Sequence, residues 1–183
     1  MSVDALRCDW AEARPMLERT PRVLRALLSG LSDGWVLPGY GPGTWSAKEV
    51  VAHLVFCERT DWVPRMRVIV EHGRDRAFDP LDRAGHVPLL ADHSLADLLE
   101  VFERERVGTL AAAEGMCKDP AAMALVGRHP ALGEVTPGNL LAAWVIHDLN
   151  HVAQIGKALA YQWKPFVGPW ERYLSILSAP NPR

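Results

Sequence analysis

Apolar residues recur at helical spacing along almost the whole chain, and no run alternates long enough to make a strand. Leu6, Trp10, Ala13 and Leu17 begin the pattern. Thr20-Pro21 reads as an N-cap followed by proline at the first helical position, and the segment it starts should stop near Gly30. One kinked helix or two separate ones both fit this stretch. Residues 31–45 are too rich in Gly and Pro for regular structure. Ser46 and Glu49 have capping-box spacing and predict a helix from Ala47 to about Val70, bent or interrupted at Pro64.

A charged connection containing Pro and Gly covers residues 73–93. Ser94 and Asp97 cap a third helix, roughly Leu95 to Met116, with Leu98, Leu99, Phe102 and Val107 as its apolar stripe. Residues 118–135 read as an irregular link. Thr136-Pro137 repeats the start signal and opens a fourth helix that ends near Tyr161. Its first half, NLLAAWVIH, is apolar on all sides, which implies burial on most of them. Pro169 begins a short final helix. The prediction is all-α: one domain over residues 1–183, an up-and-down four-helix bundle with a short additional C-terminal helix.

Charge and cysteine usage narrow the partners. Twenty Lys+Arg stand against 22 Asp+Glu, a net charge of −2, and the arginines are scattered, so nucleic acid is not an expected partner. Cys8, Cys57 and Cys117 form no CxxC pair and fit a reducing compartment. The N-terminus has no apolar signal core, and Leu140 to Ile146 is far too short to cross a bilayer. A cytoplasmic protein without a membrane partner is expected.

Three of the seven histidines fall on predicted helices at core-facing positions. His147 and His151 are i, i+4, one turn apart on the face shared by Leu140, Trp144, Gln154 and Ala158. His53 lies among Val50, Val51, Leu54 and Phe56 on the second main helix. Facing helices of a bundle build metal sites from such inward side chains, and three protein ligands leave a position open. Core histidines bonded to carbonyls, hydroxyls or water fit the same spacing. His72, His86, His93 and His129 fall at helix ends or in loops and read as solvated, with His129 the least settled.

WSAKEVVAHL followed much later by HDLNHVAQIGKAL resembles the DinB-like (DinB/YfiT) family of helical metalloproteins. GEVTPGNLLAAWVIH and VGPWERYLSIL extend the similarity over most of the chain. The resemblance implies a four-helix bundle, frequently a homodimer, with a nickel- or zinc-type ion on His53, His147 and His151. Some relatives are S-transferases or isomerases that use a low-molecular-weight thiol such as bacillithiol, mycothiol or glutathione; many others have no known activity.

Three functions follow as expectations. A metal-dependent S-transferase acting on a small-molecule substrate leads, a metal-dependent hydrolase is the alternative, and a non-enzymatic metal-binding or stress-response protein is the third. A zincin-type protease would carry Glu directly after the first histidine, where this chain has Asp148. Asp148 is expected to be a partner to a ligand, an interhelical contact or a solvated residue. Cys57, i+4 from His53, reads as a small core residue, with ligation the minority alternative. Glu49 should be occupied by its cap, and Gln154 shares the histidine face. Trp45, Trp144, Trp163 and Trp170 are expected as core or interface anchors, with Trp144 also able to wall a pocket.

Overall fold

The computed structural model describes residues 8–178, so Leu6 lies outside the described residues. The main helices are α1 (Trp10–Leu28), α3 (Ala47–Thr60) continued by α4 (Trp62–His72), α6 (Leu95–Cys117) and α8 (Pro137–Trp163). Short helices α2 (Asp33–Val36), α5 (Val87–Asp92) and α7 (Pro120–Met123) sit in the connections. Strands β1 (Gly127–His129) and β2 (Gly133–Val135) pair antiparallel in a small hairpin. The expected all-α four-helix bundle is therefore present.

Capping boxes at Ser46/Glu49, Ser94/Asp97 and Thr136/Asn139 start α3, α6 and α8, each exchanging side-chain and backbone hydrogen bonds reciprocally. Thr20-Pro21 starts nothing: α1 runs through both Pro15 and Pro21. Pro21 has no N–H to give the Leu17 carbonyl, and that carbonyl instead accepts from Arg106 Nη1 at 2.7 Å. Pro64 does interrupt its helix, but the break falls at Asp61. The ring of Pro64 would clash with the carbonyl four residues back, that of Thr60, so the chain breaks there and Pro64 sits in the first turn of α4.

The helices α1 and α3 lie on opposite sides of the bundle, each packed against both α6 and α8. Two core layers define their directions. Leu24, Leu28, Val51, Leu98, Phe102 and Ile155 belong to one layer. Leu17, Cys57, Met66, Leu110, Leu141 and Trp144 belong to the other. The chain thus runs up, down, down, up, with α1 parallel to α8 and α3 parallel to α6. Strict alternation is broken because residues 73–93 are long enough to carry the chain back along the bundle before α6 begins.

Sequence pattern and structure part at three smaller places. The α6 stripe passes through Arg106, 1% exposed, whereas Val107 is 67% exposed. The hairpin falls in the stretch that reads as irregular, since three-residue strands are too short to show alternation. Beyond α8 the chain forms 3₁₀ turns over Lys164–Phe166, Gly168–Tyr173 and Ser175–Leu177 in place of a final α-helix. Trp163 and Trp170 are exposed there rather than anchored in the core. No described helix is long and apolar enough to cross a membrane.

Candidate metal centre

His53 comes from the middle of α3, and His147 and His151 from the middle of α8, which runs antiparallel to it. Their rings meet between the two helices. His147 Nε2 lies 3.2 Å from His53 Nε2 and 3.1 Å from His151 Nε2. Among the described residues, these three form the group whose metal-capable atoms all lie within 4.8 Å of one another. His53 and His151 are buried, and His147 is half-buried.

Burial, followed by the neighbouring imidazoles His151 and His86, lowers the pKa of His53 to about 4. Burial lowers that of His147 to about 3, aided by His151, His53 and Arg106. His151 is also lowered by burial, against the opposing effects of Gln154 and Asp148. All three are therefore neutral at pH 7, the state a metal ligand requires. Gln154 Oε1 accepts from His151 Nδ1–H at 2.8 Å, which fixes the tautomer and leaves the Nε2 lone pair facing the other two rings.

Three converging Nε2 atoms cannot satisfy one another, because a single N–H would have to serve two short contacts at once. A tetrahedral zinc-type ion bound at 2.0–2.1 Å holds its nitrogens about 3.3 Å apart, close to the two separations from His147, and the third pair lies within 4.8 Å. The donor set fits a divalent ion. His147 Nδ1, buried without a partner, is the one nitrogen such an ion would leave unsatisfied.

The low folded-state pKa values predict a sign for pH dependence. Between pH 6.5 and about 4 the unfolded chain binds protons that His53 and His147 do not, so their contribution to stability falls as pH is lowered through that window. The slope is at most about 1.4 kcal/mol per pH unit for each proton. Melting curves of metal-free protein from pH 7 to pH 4 should show this loss, and a His147→Ala/His151→Ala variant should show a shallower one.

Aromatic rings enclose the centre. Trp45 lies 4.8 Å from His53 and stacks on His151 at 6.3 Å between centroids. Trp62 stands edge-on to His147 at 5.0 Å and stacks on Trp144 at 5.7 Å. Cys57 Sγ runs along the edge of the His53 ring, 3.4 Å from Nε2 and 3.9 Å from Nδ1. Burial pushes its thiol pKa up, so it is a neutral core thiol. Glu49 is occupied by its cap, its Oε2 accepting from the Ser46 N–H at 2.8 Å. His129 accepts from the Ala131 and Leu132 N–H groups and braces the hairpin turn, away from the centre.

Asp148 is an interhelical partner. Its carboxylate takes both ends of Arg106, at 2.6 and 3.0 Å, and Arg106 also donates to Glu58 Oε1 at 2.9 Å. Trp144 Nε1 donates to the same Glu58 oxygen at 3.2 Å. With the Leu17 carbonyl, this buried arginine touches all four main helices. Sequence spacing singled out neither Arg106 nor Glu58; the polar residue interrupting the α6 apolar stripe was the available signal for Arg106. His86, expected to be solvated, is buried beside Trp45 and His53 at 4.8 and 5.7 Å between centroids. Nothing local to its loop marks it, since the burial depends on where the 73–93 connection docks.

Fold and site together define a helical bundle with a three-histidine centre between two antiparallel helices. The chain belongs to the DinB superfamily, whose family model matches residues 16–155. Among solved structures it is similar to YfiT from Bacillus subtilis, with a TM-score of 0.68 and 16% identity, covering 86% of this chain and 90% of that one. YfiT is described as "a probable metal-dependent hydrolase with an unusual four-helix bundle topology". The chain is also similar to TT2238, described as a four-helix bundle protein, with a TM-score of 0.58 and 22% identity over 80% of this chain and 98% of that one. A comparison with curated proteins found no match.

Proposed function

We propose that this chain is a divalent-metal S-transferase that joins a low-molecular-weight thiol to a small electrophilic substrate, with nickel or zinc on His53, His147 and His151. The observation that carries the metal reading is the convergence of three neutral imidazole nitrogens, with His147 Nε2 at 3.2 and 3.1 Å from the other two and all three within 4.8 Å of one another. Bound there, a divalent ion supplies Lewis acidity, favouring the thiolate form of a thiol or polarising an electrophile. The protein's own residues hold and shield. Gln154 orients His151, Trp45 and Trp62 keep water from the ring faces, and the Arg106 network fixes α8 against α3.

S-transfer is favoured over hydrolysis by the disposition of the nearby carboxylates. Asp148 is paired with Arg106 through both oxygens and Glu58 is buried against it, so neither is placed to take a proton from water. Metal-dependent hydrolysis stands as the second reading, supported by the description of YfiT. All three cysteines are free, and two of them are buried, which supports a reducing, cytoplasmic setting. A homodimer is part of the same proposal, supported by exposed Met16 and Ile146 lining an apolar groove between α1 and α8.

The test uses nickel- or zinc-loaded protein with glutathione or cysteine and 1-chloro-2,4-dinitrobenzene. A carbon–sulfur bond forms, chloride leaves and the thiol proton passes to solvent. Turnover that needs both metal and thiol, and falls to the blank rate in His147→Ala, is expected. Cleavage of simple esters at an equal rate with the thiol omitted would favour the hydrolase. The Gln154→Leu variant should bind metal about 10–100-fold more weakly, because His151 loses the acceptor that orients it; competition with a chromogenic chelator measures this.

A further inference from the structure

The connection between α4 and α6 carries a histidine that the three-nitrogen centre leaves out. His86 is 3% exposed although its backbone lies outside the four main helices. Two contacts on either side of it press this segment onto α3. Gly85 lies so close to Phe56 that a Cβ there would stand 2.2 Å from the ring. Four residues beyond His86, the Leu90 carbonyl accepts from Lys48 Nζ at 3.0 Å. The imidazole between these clamps stands edge-on to His53, at 85° and 5.7 Å, and to Trp45, at 61° and 4.8 Å.

Its Nδ1 is buried without a hydrogen bond of ordinary geometry, the Arg83 backbone being the one hydrogen-bonding group of its own loop that acts on the ring. Leaving such a group unpaired costs about 1–3 kcal/mol, so a docked loop that inserts it needs a compensating partner. The nitrogens of His86 are not in the group that meets within 4.8 Å, so the ring stands outside the ligand set. Its ring stands beside that set, 5.7 Å from the His53 ring between centroids.

We propose that His86 is a positioning residue of the centre, hydrogen-bonding through its free ring nitrogen to the small ligand that takes the open position beside the three histidines. The proposal rests on the metal reading given above. A neutral imidazole offers one N–H donor, which suits a ligand atom with spare lone pairs: a thiolate, a carboxylate or another small anion.

Azide is the probe, because it occupies an open metal position without any thiol chemistry. Cobalt(II)-loaded wild type, His86→Gln and His86→Phe are titrated with azide and followed by visible absorption. His86→Gln keeps a donor and should bind azide within about threefold of wild type, whereas His86→Phe should bind about tenfold more weakly, the worth of one hydrogen bond. Cobalt content and the azide-free spectrum should be the same in all three. Equal azide affinity in His86→Phe would overturn the proposal, as would loss of cobalt from it, which would make His86 part of the metal site itself. Should His86→Phe not fold, nitrogen-15 spectra of the zinc-loaded wild type decide: a His86 ring signal that moves on adding azide supports the proposal, and one that stays fixed sinks it. Wild type that takes up no cobalt at all instead removes the metal reading beneath it.

Discussion

Purified protein reconstituted with nickel or zinc should carry close to one ion per chain, and the His147→Ala/His151→Ala variant close to none. Removing two of three nitrogens leaves a single imidazole, which cannot hold a divalent ion against solvent or a chelator. Binding should also appear as stability. Free metal at 100 times its dissociation constant adds about 2.7 kcal/mol, and about 2–4 °C per kcal/mol is usual for 150–250 residues. The loaded wild type should therefore melt about 5–10 °C above its chelator-treated form. The double variant should melt at one temperature with or without metal. Elemental analysis beside differential scanning fluorimetry makes both measurements. Metal-free wild type after reconstitution would return the three histidines to the role of core residues.

The second large effect is expected far from any bound ion, at Arg106. Replacing it with Met leaves Glu58, Asp148 and the Leu17 carbonyl buried without their shared donor. Breaking one partner out of a buried ion network costs about 3–5 kcal/mol, more than the pair itself contributes, because the remaining charges have no water to solvate them. The melting temperature should fall by about 6–20 °C. Adding Glu58→Gln and Asp148→Asn to Arg106→Met should recover a large part of that loss by removing the stranded charges. A single variant within about 1 kcal/mol of wild type would show that the carboxylates find other partners. Metal affinity should fall with Arg106→Met as well, since Asp148 and Trp144 tie the ligand-bearing helix to this network.

Arg106 also marks the limit of what periodicity can read. Its position continues the stripe of Leu98, Leu99 and Phe102, and a helical wheel places it in the core. Why a guanidinium is tolerated there depends on carboxylates 42 and 48 residues away in the sequence. It depends equally on a carbonyl released by a proline in another helix. None of these partners is local, and no spacing rule connects them.

The sequence by itself determined what is short-range. The three capping boxes, the interruption near Pro64 and the apolar faces of the main helices all follow from residues within a turn or two of one another. The two histidines of α8 could be read as neighbours because four residues make one turn. His53 reads as the third candidate from its own core-facing helix, and the resemblance to known bundles strengthens that link across the 94 residues to His147. Only the tertiary structure decided the order of helix directions, the packing of the 73–93 connection and the identity of the buried polar groups. His86 shows the physical reason most directly. Its burial comes from a glycine seated on Phe56 and a lysine holding a distant carbonyl, contacts that exist only once α3 and the connection have met.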